Sequence, residues 1–93
     1  MDKDKILAEE NKKLLLKTIG KVVNNHRINL EKGINKFSFE YNIGNGLLTR
    51  LERGDVDTRI TTLWKLANAF GYKFTDFAAL IEKELPENFN FYN

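Results

Sequence analysis

Thr49-Arg-Leu-Glu-Arg-Gly54, then Asp55-Val-Asp-Thr-Arg59, then Ile60-Thr-Thr-Leu-Trp-Lys-Leu-Ala-Asn-Ala69 is the stretch whose reading decides the fold. Leu47, Leu48 and Leu51 have the spacing of the buried side of a short helix, and Gly54 can end it. Leu63, Leu66, Ala67 and Phe70 repeat at helical spacing one loop later. The polar segment 55–59 between them is a connection of ordinary length.

Moving outward, residues 60–71 read as a helix stopped by Gly71. Thr75 is placed to cap a last helix over residues 76–85, with Phe77, Leu80 and Ile81 inward and Pro86 ending it. Residues 3–31 contain no Pro and carry an apolar side of Ile6, Leu7, Leu14, Leu15, Ile19, Val22, Val23, His26 and Leu30. One helix fits this segment, and so do two meeting near residues 17–21. Gly20 weakens the helix by about 1 kcal/mol of propensity. Gly33 supplies either a left-handed stop or a neutral cap for the next element. Local pattern leaves residues 37–43 open. Phe37, Phe39, Tyr41 and Ile43 alternate as in a strand, with Asn45-Gly46 as a hairpin signal. The same residues also stand four apart in pairs, as in a short helix. The tail 86–93 carries Phe89, Phe91 and Tyr92 and suits an added strand, a dimer contact or disorder.

A length of 93 residues is expected to hold one domain with a modest core, which pairing with a second copy would help. There is no Cys, which excludes disulfides and thiolate chemistry. No run reaches the length of a membrane span, and the charged start leads into no signal-peptide core, so a cytoplasmic chain is expected. The net charge of +2 says little about nucleic acid, but its distribution says more. Residues 1–54 hold eleven Lys/Arg against seven Asp/Glu, while residues 55–93 hold four against six.

Enzymatic chemistry finds little footing. His26 is the sole histidine and sits on an apolar stripe, which suits a core or boundary role. No His/Cys cluster has metal-ligand spacing, Gly44-Asn45-Gly46 is too short for a phosphate loop, and the carboxylates are scattered. No catalytic residue, metal or cofactor is therefore expected. Trp64 reads as core or boundary, and Lys12, Lys13, Lys17 and Lys21 as a solvated helix face with no membrane role.

A short helix closed by Glu52-Arg53-Gly54, a loop, and a helix opening on Thr62-Leu63 resembles the DNA-reading half of the Cro/lambda-repressor type of helix-turn-helix domain, the XRE family. The resemblance runs without gaps from His26 to Phe77. It implies an all-α fold: a five-helix lambda-repressor-like DNA-binding domain with an N-terminal helical extension. The expected divisions are an extension over 1–18, the helix-turn-helix domain over 19–85 and a tail over 86–93. It also implies helix over residues 37–43. Arg27 and Glu52 fall where the family keeps an ion pair that clamps the recognition helix to its scaffold. Arg53-Gly54 falls where the family contacts backbone phosphate. The chain departs from the pattern at Ile34, where many members carry a phosphate-binding glutamine, and at Asn42 and Gly44 of the turn.

The function implied is sequence-specific duplex DNA binding by a small transcriptional regulator of repressor type, acting as a homodimer. The recognition helix would lie in the major groove. Asn45, Gly46, Thr49 and Arg50 would face the bases, with Arg suited to guanine and Asn to adenine. Asn45 has a rival role as helix N-cap. Asn35, Lys36, Arg53 and Gly54 would contact the DNA backbone. Gly44 and Gly46 leave the reading end short of side chains, which shifts reliance toward phosphates, DNA shape or a second half-site. The alternative is a protein-interaction module on the same fold, such as an antitoxin or adaptor, that holds a partner through the N-terminal helix or the aromatic tail.

Overall fold

The longest element sets the shape of the molecule. In the computed structural model, which describes residues 3–92, α1 (Lys3–Asn29) runs unbroken for 27 residues. At 1.5 Å per residue that is about 40 Å, close to the 44 Å long axis of the whole chain. The alternative of two helices meeting near residues 17–21 is thereby set aside. Four short helices follow: α2 (Ile34–Tyr41), α3 (Asn45–Arg53), α4 (Ile60–Ala69) and α5 (Phe74–Glu84). No strand occurs among the described residues, so the fold is all-α.

The core draws on every helix. Ile19, Val22 and Val23 of α1 pack with Phe37, Leu48, Leu51, Leu66, Ala67, Phe77 and Ile81, and with Ile43 from the α2–α3 turn. Only the second half of α1 enters it. Ile6 and Leu14, expected on the apolar side, are exposed, because the short helices do not reach along the first half, and Leu30, also expected there, is exposed in the turn after α1.

Segment 37–43 is helical through Tyr41, and Asn45-Gly46 opens α3 instead of turning a hairpin. Phe37 is fully buried and stacks on Phe70 at 5.3 Å, whereas Phe39 is 89% exposed. Alternation would have put these two on one face. Asn42 adopts the left-handed conformation, φ 53°, and its N–H donates to the Ser38 carbonyl, so α2 ends without a glycine.

Several boundaries differ from expectation. The left-handed residue after α1 is Glu31, φ 57°, while Gly33 is an extended N-cap for α2, φ −72°. Thr75 does not cap α5. That helix starts at Phe74 behind Lys73, with Phe74 stacked on Trp64 at 4.7 Å. Trp64 lies outside the core, about half exposed. In the tail Phe89 and Phe91 are half-buried, and Asn11 Nδ2 donates to the Asn90 carbonyl at 2.6 Å. The tail is thus tied back to the first half of α1 and is neither a strand nor a free aromatic arm. Of its three aromatics only Tyr92 is exposed.

His26 joins α1 to the segment after α4. Its Nδ1 lies 2.8 Å from the Val22 carbonyl, which can only accept, so that nitrogen carries the proton. Nε2 lies 3.2 Å from the Tyr72 hydroxyl, and the ring packs among Phe70, Tyr72 and Phe77.

Candidate nucleic-acid interface

At 100° per residue, Asn45, Thr49, Arg53, Gly46 and Arg50 occupy one continuous arc of about 140° on α3. Leu47, Leu51 and Leu48 occupy the opposite arc, with Leu48 and Leu51 fully buried. On the outer arc Asn45, Gly46, Arg50 and Arg53 are exposed, and Thr49 is half-exposed. The apolar arc seats the helix and turns a polar, basic arc to solvent. Glu52 falls between the two arcs, where α1 passes.

That passage is unusually close. A Cβ built on Gly20 of α1 would lie 2.6 Å from the carbonyl oxygens of both Leu51 and Glu52. One on Gly54 would lie 2.8 Å from Cδ of Lys17 and 2.9 Å from its Cα. Gly54 has φ 76° and ends α3. Its N–H donates to the Leu51 carbonyl and the next N–H, of Asp55, to the Arg50 carbonyl. Both amides are therefore engaged in the helix stop, and a phosphate contact at this point would fall to the Arg53 side chain.

Glu52 accepts three hydrogen bonds from two side chains. Arg27 presents a fork, with Nε 2.7 Å from Oε2 and Nη2 2.8 Å from Oε1. Asn24 Nδ2 donates to Oε1 at 2.7 Å, and Arg27 Nη1 donates to the Lys32 carbonyl at 2.8 Å. The hydrogen bond to Glu52 raises the Arg27 pKa, outweighing the burial that opposes it. Both side chains are nearly closed off, at 12% and 8% exposure. Asn24 and the Lys32 carbonyl are members of this knot that sequence reasoning missed. Asn24 stands three residues before Arg27 on one helix, a spacing that puts both on one face.

The four residues expected at the DNA backbone divide by element. Asn35 and Lys36 are exposed in the first turn of α2, and Arg53 and Gly54 lie at the far end of α3. Asn45 Nδ2 donates to Asn35 Oδ1, which links the first turns of α2 and α3. Asn45 is not the cap of α3; Gly44 is, with no side-chain cap. The Thr49 hydroxyl donates back to the Asn45 carbonyl at 2.9 Å. The Arg50 and Arg53 side chains make no hydrogen bond or ion pair among the described residues, and both are exposed.

Nothing stands within 4 Å of a Cβ built on Gly46, and one on Gly44 meets only Leu47 Cβ at an ordinary 3.8 Å. Packing does not require either glycine. Their effect is to leave the start of α3 bare, open to close approach by a flat surface. Beside this face Lys32 Nζ is 2.5 Å from Glu40 Oε2. The hydrogen bond raises the lysine pKa and lowers that of the carboxyl, which the charge of Lys36 lowers further.

Among the described residues no group of three or more His, Cys, Asp or Glu could hold a metal, and no helix is long and apolar enough to cross a membrane. A family model described as helix-turn-helix matches residues 26–77, just over half of the chain. The match begins at His26, one residue before Arg27, and takes in α2, α3 and α4. No curated protein and no solved structure matches the chain.

Proposed function

Because the chain belongs to the Cro/lambda-repressor-like helix-turn-helix family, the XRE family of DNA-binding transcription regulators, we propose that it reads duplex DNA with the outer arc of α3 and acts as a homodimeric repressor. The observation that carries this reading is the division of α3 into a sealed apolar arc and a solvent-facing arc bearing Arg50 and Arg53. A helix of this size fits the major groove. Arg50 carries most of the base preference, since Thr49 is bonded to its own helix and Asn45 to Asn35. Asn45, Gly46 and Thr49 supply close approach and shape. Asn35, Lys36 and the Arg53 side chain set the position on the backbone, and Gly54, whose N–H is engaged in the helix stop, ends α3 beside them. In a dimer the two recognition helices would stand about 34 Å apart on a two-fold related site. Occupying such a site blocks transcription with no further activity, and the place for this is the cytoplasm.

A second reading, an antitoxin or adaptor that binds protein on the same scaffold, draws on exposed apolar side chains away from α3. Phe39 is 89% exposed, Ile60 61% and Trp64 52%. Duplex affinity measured against salt separates the two. A DNA reader shows a log–log slope near −0.9 per phosphate contacted. Arg53→Ala should weaken all sequences alike and flatten that slope by about 1. Arg50→Ala should relax preference at one or two base pairs, by about 1–3 kcal/mol each. Salt-insensitive binding to a protein, with no duplex affinity, would overturn the DNA reading.

A further inference from the structure

Lys12 and Lys17, two of the lysines on the exposed side of α1, are solvent-facing but paired. Lys17 Nζ donates to the Arg53 carbonyl at 2.6 Å and lies 3.9 Å from Asp55 Oδ1. Lys12 Nζ lies 3.3 Å from Asp57 Oδ2. Both reach from the first part of α1 to the loop that leaves the recognition helix. We propose that Lys12 and Lys17 are positioning residues of the DNA-binding surface: they hold the exit of α3 and neutralise Asp55 and Asp57, which would otherwise repel phosphate beside Arg53.

The inference rests on the DNA-binding reading and adds a role for the N-terminal extension within it. Stability is a poor reason for these pairs. All four side chains are more than half exposed, and exposed pairs contribute little to folding. Their placement is another matter. Asp55 is two residues past Arg53, well inside the screening length of about 10 Å at 0.1 M salt. Without the lysines, Arg53, Asp55 and Asp57 together carry a net negative charge at the end of the reading helix. With them the cluster is net positive. The Lys17 ammonium also sits at the carbonyl end of α3, where a cation is favoured. Gly54 lets the Lys17 backbone and stem come near enough for this reach.

The test is a double-mutant cycle on the full chain, titrated with a labelled duplex of unselected sequence at about 100 mM salt. Lys17→Gln should weaken binding by a factor of about 1.5–2, the size of a unit-charge repulsion across about 7 Å of water after screening at this salt. Adding Asp55→Asn should restore the wild-type affinity, because the unmasked carboxylate is gone. Lys12→Gln and Asp57→Asn should behave in the same way. Thermal unfolding of each variant shows that the loss is not one of folding. A lysine that touched phosphate directly would give additive losses without rescue, and a slope smaller by about 0.9. That result overturns the proposal, and so does unchanged affinity in Lys17→Gln and Lys12→Gln. Wild-type chain without duplex affinity overturns both this inference and the function it rests on. Wild-type chain that binds while the cycles fail overturns the inference alone.

Discussion

Replacing Gly20 by Ala tests the way α1 seats the recognition helix. In the middle of a helix this change ordinarily stabilises by about 1 kcal/mol, since Gly is the poorer helix former. Here the added methyl carbon would sit 2.6 Å from two backbone carbonyl oxygens and 2.9 Å from the Glu52 carbonyl carbon. These are main-chain atoms, so no side chain can swing aside. The helices must separate, and overpacking of this kind costs about 1–3 kcal/mol. The separation also pulls on the Arg27–Glu52 fork, whose bonds are 2.7 and 2.8 Å. We expect a net loss of about 1–2 kcal/mol. At 4–8 °C per kcal/mol for a domain of this size, that is a fall in Tm of roughly 5–15 °C. Urea unfolding followed by far-UV circular dichroism gives the free energy. Gly46→Ala is the matched control: nothing lies near its Cβ, so it should hold or raise stability. If Gly20→Ala stabilises as Gly46→Ala does, α1 is not seated on α3 in this way.

Other expectations concern charge. Arg27→Met removes the fork and leaves the Glu52 carboxylate and the Lys32 carbonyl without their guanidinium, so it should cost about 3 kcal/mol in urea unfolding. Glu52→Gln keeps one acceptor but turns an amide NH2 toward a donor and leaves the guanidinium unpaired, so it too should destabilise; an unchanged urea midpoint in both variants would contradict the described knot. The Glu40 carboxyl is held below the usual carboxylate range by Lys32. Its contribution is therefore present above the unfolded pKa and lost as pH falls through the folded one. Wild type should lose its small advantage over Glu40→Gln between about pH 5 and pH 3. Tm curves that stay parallel over that range would remove Glu40 from the account.

The elements whose burial follows from local spacing were legible without coordinates. Leu47, Leu48 and Leu51 mark one side of α3, Leu63, Leu66 and Ala67 one side of α4, and Gly54 stops α3 in the left-handed conformation it was suited to. α2 was not legible locally, because Phe39 is an exposed aromatic two residues from a buried one and imitates strand alternation. Only the resemblance pointed to helix there. The start of α5 slipped because Phe74 is drawn into the first turn by its stack on Trp64, a contact ten residues away that no capping rule contains. Gly20 read as a propensity cost because the carbonyls it makes room for are more than thirty residues distant. Lys12 and Lys17 are solvated as read, but their partners were hidden for the same reason, since Asp55 and Asp57 lie past α3. At the candidate interface, residue type pointed to Arg50 and Arg53. The engagement of Thr49 and Asn45 with their neighbours appeared only in three dimensions.

The most direct test of the central claim is selection from a random duplex library by the full chain at about 100 mM salt, where phosphate contacts still hold. The account predicts enrichment of a two-fold symmetric site with half-sites about one helical turn apart, and a relaxed motif for Arg50→Ala. Recovery of no motif, with no duplex retained at that salt, would contradict it.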